Sequence, residues 1–176
     1  MSEAQKKILE GLDISVQMEI EGQKYYEKIS NESVDKLGKN LFEWLASEEN
    51  KHRQKFEYIY ELIRDNKQWP EIDIKLKKNK GPAEIFTEAK RSGKTNIVAD
   101  SDKIGTVDKA LEMEARTQEF YKSRAENSVY DIEKIFYESL IGEEQAHYLA
   151  LIDYREFLID PEGWFLKIEH HSLDGA

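Results

Sequence analysis

Apolar residues recur along this chain at steps of three and four, or sums of those steps, in four long segments. The first runs from about Ala4 to Asn31 and carries Ile8, Leu12, Tyr26 and Ile29. The second runs from about Val34 to Asn66 and carries Leu37, Leu41, Leu45, Phe56, Ile59 and Ile63. The third, about Thr106 to Glu126, carries Val107, Leu111, Tyr121 and Ala125. The fourth, about Val129 to Ile159, carries Ile132, Phe136, Leu140, Leu151, Tyr154 and Leu158. Each set forms one apolar face of an amphipathic helix. At 1.5 Å per residue the second and fourth helices would each extend roughly 45 Å.

The breaks between segments set the topology. Very short loops separate the first helix from the second and the third from the fourth, which forces two antiparallel hairpins. Between the hairpins, from about Lys67 to Gly105, Trp69-Pro70, Gly81-Pro82 and Gly93 interrupt any regular element, and Pro82 to Arg91 suits one short helix. A stretch of that length can cross a bundle from end to end. The expected fold is all-α: a four-helix bundle of two helical hairpins joined by a long crossover, one domain spanning residues 1–176. Ser128 with Asp131 reads as a helix-opening capping pattern. The fourth helix should stop before Asp160-Pro161-Glu162-Gly163, and the tail from Trp164 to Ala176 shows little further periodicity.

Polar residues interrupt the apolar faces at matched places. Glu19, Glu49 and His52 recur 95 positions later as Glu114, Glu144 and His147. The same shift maps Leu45 to Leu140, Ile63 to Leu158, Gln23 to Gln118, Tyr26 to Tyr121 and Ser33 to Ser128. In each E-x-x-H the Glu and His share one helical face. A solvated Glu–His pair contributes only a few tenths of a kcal/mol, about 0.2–0.5. These residues, however, lie inside the apolar stripes, so the bundle would bury four carboxylates facing one another. Burying even one unpaired charge costs several kcal/mol. Two divalent cations would cancel the formal charge, and carboxylate oxygen with imidazole nitrogen suits iron, manganese or, less usefully, zinc. Six protein ligands for two ions leave open positions for oxygen or peroxide.

On these residues the chain resembles the ferritin-like diiron carboxylate superfamily, and within it the rubrerythrin-type proteins. The ligand pattern matches that of known di-iron helical bundles. The resemblance implies two iron ions, with manganese open, bridged by Glu49 and Glu144 and held terminally by Glu19, His52, Glu114 and His147. It also matches Tyr26 and Tyr121 to the near-site tyrosines of the family, although both positions serve equally well as core aromatics. Two departures stand out. The chain has no cysteine, hence no rubredoxin module, and Thr117 stands where the family tends to carry an additional glutamate. The implied activity is reduction of peroxide or oxygen by an oxidoreductase that draws on an external electron-donor protein. Iron binding and storage is the alternative, although cage subunits carry a fifth helix where Pro161 and Gly163 interrupt this chain. A metal kept for structure or sensing stays open as well.

Composition narrows the partners. A net charge of −10 with no strong basic tract argues against nucleic acid. Lys75, Lys77, Lys78 and Lys80 read as a solvated loop. No apolar run approaches the roughly 18 residues needed to span a bilayer, and no signal peptide is visible, so a cytoplasmic location is the default expectation. A homodimer stays open. Glu21, Glu48, Glu112 and Glu143 sit off the stripes and read as solvated, Gln23 and Gln118 as packing residues with hydrogen bonding behind the ligands as the alternative, and His170-His171 as a solvated tail.

Overall fold

The computed structural model describes residues 2–65, 69, 82–92 and 101–166. It contains α1 (Glu3–Glu32), α2 (Lys36–Arg64), α3 (Pro82–Ser92), α4 (Ser101–Glu126) and α5 (Asp131–Ile159), followed by a short helix over 161–166. No strand occurs among the described residues. Helix α1 pairs with α2 and α4 with α5, and α2–α5 and α1–α4 contacts join the hairpins into the expected all-α bundle. The lysines near residue 75 and His170-His171 lie outside the described residues. Among the described helices none is long and apolar enough to cross a membrane.

Helix ends show where local chemistry wins. Ser2 and Gln5 form a reciprocal capping box that opens α1. Asp35 caps α2: its Oδ1 accepts from the Gly38 backbone N–H at 2.7 Å, and its Oδ2 accepts from the Tyr154 hydroxyl at 2.8 Å. One carboxylate therefore caps one hairpin and ties it to the other. Gly38 is required there, because a Cβ at this position would collide with the Tyr154 hydroxyl.

The expected Ser128–Asp131 cap does not form. Ser128 Oγ donates backwards to the Arg124 carbonyl at 2.8 Å, as Ser33 Oγ does to the Ile29 carbonyl at 2.8 Å. Both serines close the preceding helix, and α5 opens at Tyr130 with no side-chain cap. Glu133 takes up part of that role by accepting from the Val129 backbone N–H at 3.2 Å. It is buried, and Arg124 Nη2 lies 3.3 Å from it. Ile132, expected on the core stripe, is only half-buried.

Two further boundaries differ from expectation. Helix α4 begins at Ser101, ahead of the expected Thr106. Thr106 Oγ1 donates to the Asp102 carbonyl at 2.9 Å and the Tyr25 hydroxyl to the Thr106 carbonyl at 2.9 Å, so the early turn is bonded on both sides. Pro161 ends α5 as expected but also opens the helix over 161–166, where Asp160 Oδ1 accepts from the Gly163 N–H at 2.9 Å. Asp followed by Pro is an N-cap and first-turn pair. The tail is thus structured at its start, and Trp164 packs against Phe157 and Phe86 with ring centroids 5.2 Å and 5.8 Å away.

The core is divided. One apolar cluster gathers Leu37, Leu41, Phe42 and Leu45 of α2 with Leu151, Tyr154, Phe157 and Leu158 of α5. The other gathers Phe56, Ile59 and Ile63 of α2 with Phe136, Tyr137 and Leu140 of α5. On both helices the residues between these sets are the E-x-x-H residues, so a polar layer sits between two apolar plugs.

Candidate metal centre

That layer draws one side chain from α1 (Glu19), two from α2 (Glu49, His52), one from α4 (Glu114) and two from α5 (Glu144, His147). All six are buried, with exposures from 0 % to 4 %. Their ligating atoms fall into two groups, Glu19–Glu49–His52–Glu144 and Glu49–Glu114–Glu144–His147, with the atoms of each group within 4.8 Å of one another. Glu49 and Glu144 belong to both groups, so each group takes side chains from both hairpins. His52 Nδ1 lies 3.6 Å from Glu19 Oε2, 3.9 Å from Glu49 Oε2 and 3.0 Å from Glu144 Oε1. His147 Nδ1 lies 3.5 Å from Glu49 Oε1, 3.8 Å from Glu114 Oε2 and 3.1 Å from Glu144 Oε2. The imidazole rings stack with centroids 5.5 Å apart.

These donors fit a cation better than they fit one another. Glu19 Oε2, His52 Nδ1 and Glu144 Oε1 are buried and have no hydrogen-bond partner. His52 Nδ1 and Glu144 Oε1 are only 3.0 Å apart, yet their directions do not make a hydrogen bond. Buried polar atoms are almost always bonded, and three unbonded ones converge here among side chains that could hold a metal ion.

The electrostatics agree. Burial pushes the Glu49 carboxyl well above the usual carboxylate range, and Glu144 and Glu19 push it further. Glu114 is raised by burial and by Glu144, against the lowering effect of His147. Burial also acts to raise Glu144, but the two imidazoles override it and hold Glu144 well below that range. Burial disfavours a charged imidazole at His52 and His147, but the surrounding carboxylates, Glu144 with Glu143 and Glu19 at His52 and Glu144 with Glu114 at His147, together outweigh it and both are raised. Without positive charge from elsewhere, these shifts all favour the protonated forms of Glu49, Glu114 and the imidazoles.

The tyrosines reach across between hairpins. The Tyr26 hydroxyl of α1 donates to Glu114 Oε1, and the Tyr121 hydroxyl of α4 donates to Glu19 Oε1. Burial first, then the facing carboxylate, pushes both phenols well above their usual range, so each hydroxyl keeps its proton and remains a donor. Gly22 lines the site from α1, and a Cβ there would touch the Glu49 carboxylate at 3.4 Å. Gln118 Nε2 donates to the Glu144 carbonyl at 3.3 Å, whereas Gln23 Nε2 turns outward to Glu27 at 2.7 Å.

Two of the four flanking glutamates are not solvated. Glu21 and Glu112 are exposed as expected, but Glu48 is buried and accepts from Lys51. Glu143 is 23 % exposed and reaches back across the bundle, its Oε2 3.0 Å from His52 Nε2. Lys55 Nζ donates to both Glu143 oxygens at 3.0 Å and 3.1 Å. Burial opposes the Glu143 charge, but His52 and Lys55 hold its pKa down at about 2. Helical phase within α5 placed Glu143 off the core stripe correctly, but the edge of that stripe faces α2, where His52 and Lys55 wait. Trp44 was also missed: its ring stands edge-on to His147, centroids 5.2 Å apart.

A family model described as Rubrerythrin matches residues 10–153, a span that includes all six of these side chains. Searches of curated proteins and of solved structures return no match.

Proposed function

The chain belongs to the rubrerythrin family, and on that premise we propose that the centre holds two iron ions and serves an oxidoreductase that reduces peroxide or oxygen. Manganese is the alternative metal. Glu49 and Glu144, shared by both ligand groups, would bridge the ions. Glu19 with His52 would complete one position and Glu114 with His147 the other. The single observation that carries the reading is the set of unbonded buried atoms, Glu19 Oε2, His52 Nδ1 and Glu144 Oε1, converging in one cluster.

When bound, the ions supply electrons to the oxidant and positive charge to polarise it. The chain supplies the rest. The apolar plugs above and below the layer exclude bulk water and strengthen every charge interaction within it. Tyr26 and Tyr121 hold the outer oxygens of Glu114 and Glu19, which fixes those carboxylates for binding. Reduction of peroxide to water consumes two electrons and two protons. With no cysteine in these 176 residues to hold a redox centre, the electrons come from an external donor protein.

The test is metal analysis of freshly purified protein, then anaerobic ferrous loading and a stopped-flow challenge with peroxide and with oxygen. Two ions per chain, oxidised rapidly and repeatedly when a reductant is supplied, are expected. At most one ion per well-metallated chain would refute the dinuclear reading. Two ions with no turnover would leave a metal protein that is not this enzyme. Uptake far beyond two ions by a large assembly would favour storage instead.

A further inference from the structure

The two halves of the centre are related by the repeat but are not equivalent. His52 has its Nδ1 toward the cluster and its Nε2 3.0 Å from Glu143 Oε2. That partner assigns the ring proton to Nε2 and leaves the Nδ1 lone pair for a cation. Lys55, 42 % exposed, grips both Glu143 oxygens from the surface side, so the carboxylate is fixed at two points. In the other half the repeat breaks. The position matching Glu143 is Glu48, which turns to Lys51, and the position matching Lys55 is Ala150. Among the described residues no carboxylate pairs with Nε2 of His147, whose ring meets Trp44 instead.

A carboxylate on the far nitrogen of a metal-bound imidazole fixes the tautomer and ring orientation and makes the near nitrogen a better donor. We propose that Glu143, clamped by Lys55, is a positioning residue for His52, so that the Glu19–His52 half binds divalent metal first and more tightly than the Glu114–His147 half. The inference rests on the reading that the centre takes two ions, and it adds an order of filling and a cause for it.

The test uses cobalt(II) alone, added anaerobically to the metal-free full chain and followed by calorimetry and by its visible absorption. Wild type should fill in two resolved steps. Glu143→Ala should weaken the tighter step by about 10–100-fold, the usual loss when such a partner is removed, and leave the weaker step in place. Glu143→Gln keeps a hydrogen-bond acceptor and should recover part of the loss. Lys55→Met, which removes the clamp but spares the carboxylate, should fall between wild type and Glu143→Ala. Glu48→Gln, at the matching position of the other half, should leave both steps unchanged. A merely structural role for Glu143 would weaken both steps together, and that result overturns the proposal. Two indistinguishable steps in wild type would also overturn it while leaving the dinuclear reading intact. A wild-type chain that binds fewer than two cobalt ions would sink the dinuclear reading itself, and this inference with it.

Discussion

Stripping metal from the centre should destabilise the protein in a pH-dependent way whose sign is fixed by the groups around it. In the metal-free chain Glu49 and Glu114 are held above their ordinary value near 4.5, and His52 and His147 above theirs near 6.5. A group raised in the folded state gives stability that is complete below its unfolded pKa and is lost as pH rises through the folded one. Glu143 and Glu144 are lowered, so their contribution is present above the ordinary carboxylate range and lost only as the solution becomes strongly acidic. Between pH 5 and pH 8 the lowered pair is therefore constant and the four raised groups dominate. The metal-free protein should be less stable at pH 8 than at pH 5. Metal competes with protons for these atoms and binds only the folded chain, so its stabilisation should grow over the same interval. At free metal 100-fold above each dissociation constant, one site contributes about 2.7 kcal/mol and two about 5 kcal/mol. For a chain of this size each kcal/mol moves Tm by about 2–4 °C, which gives roughly 10–20 °C at the alkaline end. The assay is calorimetric melting of chelator-stripped and anaerobically loaded samples across that range. A loaded-minus-stripped difference that is absent, or that shrinks as pH rises, would show that these carboxylates do not form a buried metal site.

Metal content by elemental analysis should fall far more in Glu144→Ala than in Glu112→Ala, because Glu144 belongs to both ligand groups and Glu112 is exposed; equal losses would contradict the assignment. Tyr121→Phe leaves Glu19 Oε1 without its donor, and urea melts of the metal-free form should record a loss of about 1–3 kcal/mol, with an unchanged midpoint counting against that bond. Gly38→Ala drives a Cβ into the Tyr154 hydroxyl and strains the Asp35 cap, so denaturant unfolding should show a cost of about 1–3 kcal/mol. Phe56→Ala opens a hole among Tyr121, Phe136 and Tyr137, and should cost about 3–5 kcal/mol in the same measurement.

What could be read from the sequence was whatever a single helix encodes by itself. Every apolar residue of the α2 stripe, from Leu37 to Ile63, is buried, and the polar members Glu49 and His52 are buried in phase with them. The same periodicity marked where Glu144 and His147 would face. What escaped it depends on a second helix. Glu143 is off the α5 stripe by phase and half-buried in fact, since its partners stand on α2. Glu48 is off the α2 stripe and buried, its charge met by Lys51. Glu133 displaces Ile132 from the core because Arg124 is within reach at the end of α4. Ser128 had two bonding choices of similar cost, and local chemistry alone does not separate capping the next helix from closing the last one. Pro161 was readable as a stop, while its reading as a start needed Asp160 to turn its side chain onto the Gly163 N–H.

The pattern of what the repeat keeps and what it changes is itself informative. It keeps the six residues whose atoms face the centre, and the two tyrosines that bond to the outer glutamates. It changes Asp35 to Tyr130, Lys55 to Ala150 and Gly22 to Thr117. A hairpin alone cannot complete either ligand group, because the Glu19–His52 group needs Glu144 from the other hairpin and the Glu114–His147 group needs Glu49. On the proposed reading, the shared glutamates would couple metal binding to docking of the hairpins, and the tyrosines reach across the same interface. Away from the shared atoms the halves are free to diverge. One carries an Asp35 cap that also bonds Tyr154, and a histidine that meets the Lys55-bound Glu143. An approximately symmetric set of buried carboxylates and imidazoles thus sits inside an asymmetric surround, with the same donor types and different neighbours on its two sides.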